Sequence, residues 1–204
     1  MSSETLGAVA RKYAPARPLD TFRHCDDAAL PLDAGAAPAM PLLLDMMVYL
    51  DRSAGKLPRP IRELIAARQH LVYHCGVVCA ELAISIGILD PADPRTPETI
   101  AAIQAHLDHM DQNRSVSPSA AAWTEAALLT GTLARTQGLA IAKKVLNPDQ
   151  ECCQRGRRRE LLLDALLYVT AIEQGMLLVS ANVRHMDLLL QVRPCDNLLL
   201  YRPI

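Results

Sequence analysis

The sequence predicts an α/β fold with a mainly parallel central sheet and helices on both of its faces. Four short apolar runs have the length of buried strands, and helical segments separate most of them. Strands that alternate with helices pair in parallel, and their crossovers cover both faces of the sheet. The predicted strands are residues 41–45, 70–75, 176–179 and 197–201.

Helix-start and helix-end signals divide the chain between these strands. The pairs Thr96-Pro97 and Ser117-Pro118 each combine a capping hydroxyl with a first-turn proline. Gly175 is placed to end the helix that precedes residues 176–179. Apolar residues at helical spacing mark the buried faces, on which we also expect Trp123. Helices are expected through residues 61–65, 77–84, 100–110, 123–133, 161–174 and 188–192.

Length and composition limit the class of protein. The 204 residues suit one substantial domain, and half of them are hydrophobic, so the chain can bury a core. The net charge of −1 indicates no general attraction to nucleic acids, so such a partner would need a local basic patch. No run of about 18 apolar residues suggests a membrane span, and no signal-peptide pattern is present. We therefore expect a cytoplasmic protein without a membrane partner.

The first 40 residues differ from the rest of the chain. They are rich in alanine and proline and show no sustained periodicity. We predict an N-terminal extension over residues 1–40, followed by a single α/β domain over residues 41–204.

Three acids interrupt segments that would otherwise be wholly apolar: Asp45, Glu81 and Asp164. Any one of them alone is most simply explained as facing solvent or pairing with an arginine. Together they lie at a strand end or on neighbouring helices, where ligands of open α/β sheets bind. Two carboxylates 4 Å apart would repel by roughly 4 kcal/mol, and a bound cation removes this cost. Oxygen ligands favour Mg²⁺ or Mn²⁺, which suits phosphodiester hydrolysis.

The segments that carry these acids resemble the motifs of PIN-domain ribonucleases, a family that includes VapC-type toxins. Residues 43–51 resemble the N-terminal motif, residues 78–82 the second motif, and residues 164–184 the C-terminal motifs. The resemblance extends from about residue 41 to residue 201. It implies a PIN-like three-layer α/β/α sandwich and an endoribonuclease that depends on Mg²⁺ or Mn²⁺.

The resemblance also implies site residues. Asp45, Glu81 and Asp164 correspond to the metal ligands and catalytic acids of the family. The fourth position, often an acid, falls on Asn182, which would ligate through its carbonyl oxygen or a water. Asp187, five residues further on, is an alternative metal ligand.

The chain departs from the family pattern at several of these motifs. Met46 and Met47 stand where the family commonly has small hydroxyl-bearing residues that support the first aspartate. His185 stands where an acid is common, and Met186 where an aromatic residue is usual. These changes leave the expected ligands in place but raise the alternative of a catalytically weakened PIN-like binding or scaffold protein. A third interpretation is a regulatory α/β protein whose acids are ordinary surface groups.

Partners follow from the same resemblance. We expect an RNA substrate, with Arg184 near a strand end as a phosphate contact. The basic residues Arg157, Arg158 and Arg159 either track the RNA backbone or form a solvated helix start. As the toxin of a bacterial toxin–antitoxin pair, the chain would bind a cognate antitoxin. We also expect a homodimer, with the run Leu188-Leu189-Leu190 as an exposed face for either partner.

Overall fold

The computed structural model describes residues 24–136 and 148–204, without the side chains of residues 134–136 and 148–159. Its centre is a five-stranded sheet in the order β3-β2-β1-β4-β5, and every strand pair is parallel. The predicted α/β fold with a parallel sheet is therefore confirmed. The strands are β1 (Leu42–Leu44), β2 (Val72–Cys75), β3 (Ser115–Val116), β4 (Leu177–Ser180) and β5 (Leu198–Leu200).

Helices connect the strands, and local signals in the sequence set several of their ends. Proline occupies the first turn of α2 and of α4, where the absent N–H costs nothing. Gly175 has a φ of 62° and allows the chain to turn from α6 into β4. The helices are α1 (Met46–Ser53), α2 (Arg59–Ala67), α3 (Gly76–Gly87), α4 (Thr96–Asp108), α5 (Ala120–Thr136), α6 (Pro148–Glu173) and α7 (Val183–Val192).

Alternating side chains of the strands feed two separate apolar cores, one on each face of the sheet. Leu43 points into the larger core, which helices α3 to α7 cover. Leu42 and Leu44 point into the smaller core, which Val48 of α1 and Ile61 of α2 help to fill. Because successive residues of a strand face opposite ways, this division gives the three layers of an α/β/α sandwich.

Three details differ from the predictions. The short strand β3 escaped prediction because its two residues are partly exposed and carry no apolar pattern. Trp123 was predicted to be buried and is 48% exposed on α5. Leu188 and Leu189 were predicted to form an exposed face, but they are only 4% and 0% exposed. The apolar run in α7 belongs to the core because α7 packs against α6 and α5.

The described part of the predicted N-terminal extension, residues 24–40, lies against the sheet and its helices. The carbonyl of Pro31 accepts a hydrogen bond from the Leu200 N–H at 2.7 Å, beyond the edge strand β5. The Arg68 guanidinium donates to the carbonyls of Pro38 and Ala37 at 2.6 and 3.3 Å. The division at residue 40 stays a prediction. Among the described residues, no helix is long and apolar enough to cross a membrane.

Candidate functional site

A cleft of about 380 Å³ opens beyond the carboxyl ends of β1 and β4. Asp45 directly follows β1 and Asn182 lies two residues after β4, while α3 brings Glu81 and α6 brings Asp164. The structure thus gathers four of the five predicted catalytic or metal-binding residues around one cavity. The lining residues are Asp45, Met46, Met47, Glu81, Glu160, Asp164, Ala181, Asn182 and His185.

Asp45 is held by both central strands. Its backbone N–H donates to the Val179 carbonyl at 3.0 Å, which continues the pairing of β1 with β4. Its carboxylate accepts a hydrogen bond from the Ser180 hydroxyl, and both side chains are buried. A hydroxyl at the end of β4 therefore gives Asp45 a side-chain hydrogen bond that the side chains of Met46 and Met47, which line the cleft wall, cannot give.

Two carboxyl groups of the cleft, those of Asp45 and Glu81, have raised pKa values. Burial, and next the charge of Asp164, raise the pKa of Asp45 to about 6, although the Ser180 hydrogen bond opposes this rise. Burial, and next the charges of Asp45 and Asp164, raise the pKa of Glu81 to about 8. No lysine or arginine among the described lining residues offsets these neighbouring negative charges.

Two side-chain nitrogens lie within hydrogen-bonding distance of one oxygen of Asp164. The His185 Nδ1 lies 2.5 Å from its Oδ2, and the Asn182 Nδ2 donates to the same atom at 3.0 Å. Both side chains belong to the start of α7, where Asn182 is the N-cap. The sequence indicated that His185 follows Asn182 closely, but not that its ring reaches Asp164 on another helix.

Asn182 is the N-cap of α7. Its Oδ1 accepts the His185 N–H at 3.3 Å, and its own N–H donates to the Ser180 Oγ at 3.0 Å. With its carbonyl oxygen in the cap, Asn182 presents its NH₂ group to Asp164. Ligation of a cation through that oxygen, as the sequence suggested, would require the cap to open.

The structure does not bring Asp187 to the cleft. Asp187 is 1% exposed, and its carboxylate accepts hydrogen bonds from the Cys25 N–H at 2.9 Å and the Gln191 side chain at 3.0 Å. The His24 Nδ1 lies 3.1 Å from the same carboxylate. Asp187 thus ties α7 to residues 24 and 25.

Of the predicted RNA contacts, Arg184 is the one whose side chain the structure describes, and it is not among the described residues that line the cleft. Arg184 is exposed on the first turn of α7, next to the residues that hold Asp164. Arg157, Arg158 and Arg159 belong to α6, one to two turns before Asp164, and their side chains are outside the described part of the chain.

Glu160 lines the cleft and was not predicted from the sequence. It precedes Asp164 by four residues on α6, so both side chains lie on the same face of the helix. This spacing was the available signal, but Glu160 directly follows the basic residues and reads as part of a charged surface run. The described lining of the cleft therefore contains four carboxyl groups.

The side chains of the cleft are of the chemical type that binds divalent cations, but their arrangement in this structure does not form a binding site. Carboxylate oxygens are the ligands that Mg²⁺ and Mn²⁺ prefer, and a cation would offset the repulsion that raises the pKa values of Asp45 and Glu81. Within residues 24–136 and 148–204, however, no three His, Cys, Asp or Glu side chains are placed to hold a metal ion as they stand. Cation binding therefore requires at least one of these side chains to turn toward the others.

Comparisons with known proteins assign no family. No protein-family model matches the sequence, and no curated protein matches it. Among solved structures, the chain is similar to FitAB bound to an IR36 DNA fragment. The two sequences are 13% identical, the match covers 79% of this chain and 94% of that chain, and the TM-score is 0.44. VapBC2 from Rickettsia felis, bound to a DNA fragment from its promoter, shows 14% identity, 79% and 97% coverage, and a TM-score of 0.44. FitAcB from Neisseria gonorrhoeae shows 14% identity, 79% and 96% coverage, and a TM-score of 0.43. Similarity at this level leaves the function of the chain to be inferred from the cleft itself.

Proposed function

We propose that this chain is a metal-dependent endoribonuclease whose cation is held by Asp45, Glu81 and Asp164. The observation that carries the proposal is the electrostatics of the cleft. Three of its described carboxyl groups, those of Asp45, Glu81 and Asp164, come from three different parts of the fold, and two of them have strongly raised pKa values. Carboxylates gathered with no lysine or arginine among the described lining residues are costly, and a bound divalent cation is the simplest compensation.

The roles of the residues follow from their surroundings. Asp45 is fixed by Ser180, and Asp164 by Asn182 and His185, so these two carboxylates are held in place before a cation binds. Glu81 forms no hydrogen bond with any described residue through its carboxyl group and is free to turn toward a cation. It keeps its proton to about pH 8 and must release it to become a ligand. When bound, a divalent cation supplies Lewis-acid activation of water and stabilises charge on the phosphate.

The proposed substrate is RNA. The exposed Arg184, on the first turn of α7, is the proposed contact to a backbone phosphate. Arg157, Arg158 and Arg159 of α6 are proposed as further phosphate contacts. Such contacts attract the backbone of any nucleic acid and give affinity without sequence preference. The choice of RNA over DNA rests on the resemblance of the three motifs to PIN-domain ribonucleases.

The resemblance to VapC-type toxins leads us to propose a biological setting as well. The chain would be the toxin of a bacterial toxin–antitoxin pair, and a segment of the cognate antitoxin would occupy the acidic cleft. We also retain the proposal of a homodimer. A small neighbouring reading frame that encodes a DNA-binding protein would support this setting, and a copurifying complex of the two products would test it.

Cleavage of a labelled single-stranded RNA tests the activity. We expect cleavage with Mg²⁺ or Mn²⁺, none with EDTA, and none by the Asp164→Asn variant. Asp187→Asn is a matched control, because it alters a buried aspartate that lies outside the cleft. Cleavage that survives both Asp164→Asn and EDTA would refute the proposal.

A second candidate is a PIN-like binding or scaffold protein without catalysis. It is favoured by Met46 and Met47 on the cleft wall and by the absence, among the described residues, of three ligands already placed around one point. Calorimetric titration with Mn²⁺ separates the two candidates. A nuclease should bind the ion through the cleft acids, whereas a scaffold should show no binding.

A further inference from the structure

Asp164 contacts two side chains at the start of α7. As a ligand of the proposed cation, its carboxylate is ionised and only accepts hydrogen bonds, so in the metal site the His185 Nδ1, 2.5 Å from its Oδ2, carries a hydrogen. The Asn182 Nδ2 also donates to this oxygen, at 3.0 Å. The 3.3 Å approach of the Asn182 Nδ2 to the His185 Nδ1 is therefore between two donors that share one acceptor. A nitrogen that carries a hydrogen has no lone pair for a cation, so Nδ1 is excluded as a metal ligand.

The first turn of α7 fixes the orientation of both donors. The Asn182 Oδ1 accepts the His185 N–H, so the amide cannot flip without losing the helix cap. Asn182 therefore holds the backbone of His185 and also donates to the same Asp164 oxygen that the His185 ring contacts. Among the described residues, none donates a hydrogen bond to the other oxygen of Asp164.

We infer that His185 is a positioning residue for Asp164: together with Asn182 it engages Oδ2 and leaves Oδ1 as the oxygen offered to a divalent cation. This inference rests on the proposed metal site. Metal-bound carboxylates depend on such outer hydrogen bonds, and losing one typically weakens metal affinity by about 10- to 100-fold. The His185 side chain is 28% exposed and that of Asp164 11% exposed, so water replaces the lost donor only in part.

Calorimetric titration with Mn²⁺ of the full chain and three variants tests the inference. His185→Asn places an amide nitrogen close to the position of Nδ1 and should bind Mn²⁺ nearly as tightly as the wild type. His185→Gln carries its amide one carbon further out, and His185→Ala has no donor. Both should bind Mn²⁺ about 10- to 100-fold more weakly. Circular dichroism should show that all four proteins are folded.

Each other outcome overturns the inference in a recognisable way. Unchanged affinity of His185→Ala would show that the contact does not support the site, and tighter binding would show that the imidazole competes with the cation. If His185→Asn were as weak as His185→Ala, the ring itself would be required, as for a ligand. These results leave the proposed function standing. A wild-type chain that binds no Mn²⁺ would overturn the proposed function and this inference together.

A second measurement needs no metal. Long-range ¹H–¹⁵N correlation spectra of the metal-free chain report which ring nitrogen of each histidine carries the hydrogen. His185 should have its hydrogen on Nδ1, and Asp164→Ala should abolish this preference. A hydrogen on Nε2 alone in the wild type would overturn the inference even if Mn²⁺ binds.

Discussion

Replacing Asp45 by asparagine should stabilise the metal-free protein. Burial and the neighbouring charge of Asp164 raise the pKa of Asp45 from an ordinary 3.8 to about 6. The folded chain therefore binds more protons than the unfolded chain between these two pH values. Its stability falls as the pH rises through this interval, and the loss is complete above about pH 6. Asparagine carries no charge, and its carbonyl oxygen can still accept the hydrogen bond from Ser180.

The size of the effect follows from the rise in pKa. The rise in pKa from 3.8 to about 6 means that, at pH 8, the ionised Asp45 side chain lowers the free energy of unfolding by about 3 kcal/mol. Near pH 5 the folded carboxyl is mostly protonated, and the same relation gives about half of that cost. Relative to the wild type, Asp45→Asn should therefore gain up to about 3 kcal/mol at pH 8 and distinctly less at pH 5.

Urea unfolding at pH 5 and pH 8, with EDTA present, measures this difference. Asp187→Asn is the control of opposite sign. Burial raises the pKa of Asp187, but hydrogen bonds from Gln191, Cys25 and His24 outweigh burial and leave the pKa below its ordinary value. That variant should be destabilised at both pH values. The electrostatic account of the cleft would be refuted if Asp45→Asn were no more stable than the wild type at pH 8 and if the stability difference between the two proteins were the same at pH 5.

Three further predictions concern other residues. Glu160→Gln should weaken Mn²⁺ binding by roughly fivefold in calorimetry, because one screened negative charge contributes ~1 kcal/mol to the attraction of the cation. An unchanged affinity would show that the charge of Glu160 does not contribute to cation binding. Tyr201→Phe removes a 2.8 Å hydrogen bond to the buried Asp51 and should cost about 1–3 kcal/mol in urea unfolding without changing Mn²⁺ affinity. Gly175→Ala should lower the free energy of unfolding by about 1–2 kcal/mol, because the backbone φ of 62° is unfavourable for alanine. Gly131→Ala within α5 should leave stability unchanged or raise it. Equal effects of the two substitutions would contradict the role given to the positive φ.

Strands with a clear apolar pattern and clear end signals in the sequence were predicted correctly. The strand before Asp45 and the strand after Gly175 are short apolar runs with clear ends, and the structure has both. The three acids were recognisable because a charge in an apolar segment is costly wherever the segment packs. Their placement around one cleft follows from the parallel sheet, which brings the ends of β1 and β4 to one edge.

Contacts between residues far apart in sequence were not predictable in this way. Asp187 follows Asn182 by five residues and was predicted as an alternative ligand, but its position on α7 directs it toward residues 24 and 25. The run Leu188-Leu189-Leu190 looks like a surface patch until the packing of α7 against α6 is known. The amide orientation of Asn182 likewise depends on the cap of α7 and on Asp164, which lies on another helix.

Anomalous scattering from crystals grown with Mn²⁺ tests the central claim most directly. The account predicts one strong manganese peak in the cleft, with carboxylate oxygens of Asp45, Glu81 and Asp164 at about 2.0–2.3 Å and with His185 still against Asp164. An empty cleft at saturating Mn²⁺, or a peak bound only by other residues, would contradict it.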